Sequence, residues 1–143
     1  MRKDITKKRD DLVVFAEQYR EYLSEDLFRY VDYVETSLLN AKWPEKIVTR
    51  GRKKNINSQI VDTILEEMFI LFCTNDRRYG DVRKQGKAFY KYSTTAIAGY
   101  VSGVIGISLG IATGAVSFIM LSILRVGLNT FCKLATEKYK EQK

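Results

Sequence analysis

The sequence predicts an all-α protein: an N-terminal helical bundle, then one long glycine-striped, membrane-spanning helix, then an amphipathic C-terminal helical tail. Three observations predict it. Tyr92 to Leu124 contains no Asp, Glu, Lys or Arg and is closed by Lys91 and Arg125. Within that stretch Gly99, Gly103, Gly106, Gly110 and Gly114 recur at helical spacing. The charged remainder carries apolar residues three and four apart.

As one α-helix the uncharged stretch would run roughly 50 Å, more than the hydrocarbon thickness of a bilayer. Its five glycines fall on one face with Thr95, Ala96, Thr113 and Ser117, while Ile97, Val101, Val104, Ile105, Ile111, Phe118 and Ile119 lie around the other. In water each interior glycine costs about 1 kcal/mol relative to alanine, so a partner must pack on that face. In lipid a strip of small residues lets a second helix approach closely. The glycine face is therefore the expected self-association surface, in the manner of a glycine zipper. A single helix fits the unbroken phase of the small residues better than a re-entrant hairpin turning near Gly106 to Gly110.

The preceding segments are read in order. Asp4 to Leu23 is a helix with Leu12, Phe15, Ala16, Tyr19, Tyr22 and Leu23 at helical spacing. Ser24 followed by Glu25 and Asp26 is an N-cap with first-turn acids. Leu27, Val31, Val34 and Leu38 then form one stripe, ended at Trp43-Pro44 because proline disfavours helical geometry before it. Ser58 is the expected cap of a helix so widely apolar, from Ile60 to Phe72, that it should be the central helix of the N-terminal bundle. The organisation is a bundle over residues 1–76, a basic-aromatic juxtamembrane segment over 77–91, the span over 92–124 and a tail over 125–143.

Charge points to anionic partners. Lys+Arg 24 against Asp+Glu 17 gives a net charge of +7, suited to phospholipid headgroups or nucleic acid. Two clusters concentrate it. Arg50, Arg52, Lys53 and Lys54 form a connector; Arg77, Arg78, Arg83, Lys84, Lys87 and Lys91 precede the span, interleaved with Tyr79, Phe89, Tyr90 and Tyr92. Cations and aromatics beside an apolar span suit headgroups. The same interleaving suits single-stranded nucleic acid, which position makes the lesser partner.

The chemistry excluded is broad. With no histidine there is no Ser-His or Cys-His nucleophile and no HExxH metal site. Asp62, Glu66 and Glu67 share a helical turn and are expected to be solvated carboxylates on an exposed face. No phosphate-binding glycine loop is present, and no cofactor, metal or catalytic centre is expected. Cys73 and Cys132 are isolated and read as thiols of a reducing compartment, making no disulfide framework. The charged N-terminus lacks a signal-peptide core.

The functional expectation is a small protein of the cell membrane with its N-terminal bundle in the cytoplasm. It would be a homo-oligomer, with a protein partner reached through that bundle, and a membrane-perturbing or pore-forming effector of the toxin or defence type known from prokaryotes. That last step is an analogy of architecture. The alternative is a soluble all-α interaction subunit that buries the apolar helix, or a basic nucleic-acid adaptor.

Overall fold

The computed structural model describes residues 12–44, 56–74, 79–80 and 89–141, which are all-helical apart from short connections. The helices are α1 (12–17), α2 (Glu25–Leu39), α3 (Ile56–Cys73), α4 (Phe89–Ile105), α5 (Leu109–Val126) and α6 (Leu128–Glu141), with a 3-10 turn, Arg20–Tyr22, between α1 and α2.

The uncharged stretch is two helices and not one. The amide of Gly106 still donates to Ser102 O at 2.9 Å, and the chain then leaves the helix with Gly106 at φ 81°. That left-handed conformation is available to glycine without a Cβ penalty. The Ser102 hydroxyl donates to Ile107 O at 2.7 Å, holding the turn, and Ser108 caps α5 by accepting from the Ile111 amide at 3.2 Å. The Thr94 hydroxyl, one turn into α4, meets Met120 Sδ at 3.5 Å, so α4 and α5 form an antiparallel hairpin. The continuous helix expected over 92–124 is corrected accordingly. One half of it, α5, is still long and apolar enough to cross a membrane.

That helix is the centre of the molecule. It packs on α4, α2, α3, α6 and the 3-10 turn, and its buried residues run from Ala112 to Ser117 and from Ile119 to Ile123, all round its circumference. Two of its buried hydroxyls bond within the helix: Ser117 donates to Thr113 O at 2.6 Å and Ser122 to Phe118 O at 3.1 Å. α3 is widely apolar and packs on α2, α4, α5 and α6.

α2 follows its sequence pattern closely. Leu27, Val31, Val34 and Leu38 are its buried residues, and Ser24 Oγ accepts from the Leu27 amide at 3.1 Å behind Glu25 and Asp26. It runs parallel to α5, as the Phe28–Phe118 ring pair at 5.1 Å and the Arg125–Glu35 ion pair at 3.1 Å show. It stops at Leu39, before Trp43-Pro44. Ala41 adopts φ 56°, its amide donates to Leu38 O at 3.0 Å, and the Lys42 amide donates to Ser37 O at 2.9 Å. Those two bonds are a Schellman closure, formed here without glycine. Ser58 does not cap α3, which is already helical at Ile56; Ser58 is buried inside it.

α6 does not continue α5 as one tail. Gly127, at φ 111°, ends α5 by donating to Ile123 O at 2.8 Å, and α6 begins at the next residue. It returns antiparallel along α3. Cys73 and Cys132 are joined by a disulfide across that contact, which corrects the expectation of two separate thiols. A spacing of 59 residues gives no local signal of the pairing; the antiparallel α3–α6 packing creates it.

Candidate functional site: the apolar hairpin and the helix clamped behind it

The expected glycine face is divided by the hairpin. An added Cβ at Gly110 would lie 3.1 Å from the Tyr22 ring, and one at Gly114 would lie 3.1 Å from Leu23, from Tyr19 Cβ and from the Tyr19 carbonyl oxygen. These two glycines admit the N-terminal turn of the same chain. Gly99 and Gly103 face open space, and Gly106 makes the turn. The five residues therefore do three different things, and only Gly99 and Gly103 present an open helix face.

The hairpin's turn end is apolar and exposed. Val104 is 60% exposed, Leu109 56%, Tyr22 52% and Tyr100 39%. Tyr22 reaches this end because its ring lies over Gly110. No charged residue stands between Ser93 and Leu124 on either arm. Tyrosines at the margin of an apolar patch are what the interfacial zone of a bilayer accommodates.

At the other end of α5 stands an aromatic cluster. Trp43 lies 6.1 Å from Phe131 and 5.7 Å from Tyr139, and Phe69 lies 4.9 Å from Tyr139, ring centre to ring centre. Burial pushes the Tyr139 hydroxyl far above the ordinary tyrosine range, and the negative field of Asp62, Glu66 and Glu67 adds to this. The sign follows directly. Below about pH 10 the proton is held in both folded and unfolded chains; above it only the unfolded chain releases one, so stability falls. Tyr139→Phe is expected to flatten the alkaline decline between about pH 10 and 11 in denaturation curves. An unchanged slope would show that this hydroxyl plays no part.

Of the three carboxylates on α3, Glu66 is exposed but Glu67 is buried and accepts a hydrogen bond from the Tyr79 hydroxyl, itself buried. This corrects the expectation of a solvated trio. The bond comes from beyond the end of α3, where helical spacing carries no information. No group of three or more potential metal ligands occurs among the described residues. An open hollow of about 350 Å³ on the outer side of α2 is lined by Asp26, Arg29, Tyr30 and Tyr33. Asp26 and Arg29 there neutralise one another at 3.7 Å.

Arg50, Arg52, Lys53, Lys54, Arg77, Arg78, Arg83, Lys84 and Lys87 lie outside the described residues, and Lys91 falls in the first turn of α4. The disulfide and the exposed hairpin turn are the features that periodicity missed. Gly106 followed by Ser108, a helix-closing glycine before an N-cap residue, was the available signal for the turn.

Comparison with known proteins returns no family model, no curated protein and no solved structure that matches the chain.

Proposed function

We propose that this chain is a membrane-associating helical protein that carries a charge-free hairpin folded against its amphipathic helices and presents the turn of that hairpin to lipid, acting as a perturber of the bilayer. The observation that carries it is the exposed apolar turn, Tyr22, Tyr100, Val104 and Leu109, at the end of a hairpin whose second arm is long and apolar enough to cross a membrane. Exposed apolar groups of this kind in water call for a partner surface. α2 and α6 supply the polar exterior that lets the hairpin exist before it meets one. The basic clusters are assigned to anionic headgroups in the same reading.

The test is flotation with anionic liposomes. Val104→Asp with Leu109→Asp keeps the fold, since both side chains are exposed. It should weaken binding about 100-fold, because two apolar insertions worth about 1.5 kcal/mol or more each are replaced by charges. Binding equal to wild type would reject the turn as the docking element.

A second reading has its own support: 61% of α5 is buried, as in the core helix of a soluble interaction subunit. A protein that stays in the supernatant on ultracentrifugation, ignores liposomes of every composition and leaves membrane potential unchanged on expression would favour that reading.

A further inference from the structure

We propose that the Cys73–Cys132 bond is a redox latch that holds α6 on the bundle, and that its reduction by a dithiol releases α6 while the hairpin core stays folded. The bond joins the last residue of α3 to the first turns of α6. Both cysteines are only half-buried, so a small thiol reaches them.

The rest of α6 is lightly held. Phe131 and Ala135 are its fully buried side chains among the described residues, Leu128 and Leu134 are partly buried, and Tyr139 adds ring contacts to Phe69 and Trp43. On the α5 side it turns at the single residue Gly127, whose positive φ sets its direction, and it packs on α5 and α2 less extensively than on α3. An 18-residue α5 buried all round stands beside a 14-residue α6 that packs by one face on α3, α5 and α2 and is cross-linked by one covalent bond. Helices open locally in order of their buried contacts, and α6 is the one most dependent on its cross-link. The bond also closes a loop that contains the whole hairpin, so cutting it frees both ends of that loop together.

The exchange balances simply. One thiolate of the dithiol attacks one sulfur of the Cys73–Cys132 bond, giving a mixed disulfide and releasing the other cysteine as thiolate. The second thiol of the reagent then displaces the remaining cysteine and closes its own disulfide. Two electrons and two protons pass to the protein, and the dithiol is oxidised.

Hydrogen exchange of the full-length protein before and after dithiothreitol tests this, with the thiol state checked by the mass of alkylated protein. Amides of α6 are expected to exchange at least about 10-fold faster after reduction, while those of α2 and α5 keep their protection. Cys73→Ser with Cys132→Ser should show the reduced pattern at once and no response to the reagent. Three results overturn the latch. One is unchanged α6 exchange in verified dithiol protein. Another is loss of protection in all helices together, which makes the bond a global staple. The last is two free thiols in air-oxidised protein.

The consequence for lipid rests on the membrane reading above. Release of carboxyfluorescein from anionic vesicles should rise on reduction. Faster α6 exchange with no change in leakage supports the latch and counts against the membrane reading alone.

Discussion

Phe131→Ala is expected to cost about 3–5 kcal/mol and to lower the thermal midpoint by about 10 °C or more, the largest loss from a single core truncation in α6. Phe131 is fully buried and is the largest enclosed side chain among the described residues. It sits in the first turn of α6, its amide donating to Gly127 O at 3.1 Å, beside the disulfide and 6.1 Å from Trp43. The cross-link prevents α6 from sliding in to fill the void, so relaxation is poor and the cavity cost high. Trp43 is the single tryptophan, and its emission should move to the red as water reaches the cluster. Lys133→Ala, on the exposed side of the same helix, is the control and should stay within about 0.5 kcal/mol of wild type. A loss below about 1 kcal/mol for Phe131→Ala would mean that α6 does not pack on Trp43 as described.

How far the sequence reached depends on the range over which each signal acts. Local ones were legible. The Leu27, Val31, Val34 and Leu38 stripe and the Ser24 cap are written within one helix and came out as read. All-α architecture followed from the same periodicity. The end of α2 lies five residues before the proline, because the Schellman closure at Ala41 needs no glycine and leaves no compositional mark.

Features that depend on neighbours were harder. The small residues stay in phase across Gly106, which argued for one helix, yet phase is blind to a three-residue turn. A helix-closing glycine followed by a capping serine was the stronger local signal. Whether an uncharged helix meets lipid or protein is not written in its own residues at all. Ala112 to Ser117 are buried in a helix on which α2, α3, α4 and the 3-10 turn pack. Likewise Glu67 looks like its exposed neighbour Glu66 until Tyr79 is placed over it.

Gly114→Leu separates the two meanings of the glycine stripe, and is expected to destabilise the fold by about 3 kcal/mol. An added Cβ there already falls 3.1 Å from Tyr19 Cβ, Leu23 Cδ2 and the Tyr19 carbonyl. The carbonyl belongs to backbone, so the 3-10 turn itself must move, and leucine brings three more carbons into the same gap. At Gly110 the obstacle is the ring of Tyr22, half exposed and able to swing aside, so Gly110→Ala should be nearly neutral. Gly99 and Gly103 meet nothing, and alanine at either should stabilise α4 by about 0.5–1 kcal/mol. Self-association through glycines, where it occurs, therefore falls to Gly99 and Gly103. Chemical denaturation ranks the four positions, and sedimentation in detergent reads the oligomer. If Gly114→Leu is as stable as wild type, the N-terminal turn does not seat on α5. If Gly99→Leu with Gly103→Leu leaves the sedimenting species unchanged, these glycines serve no contact between copies.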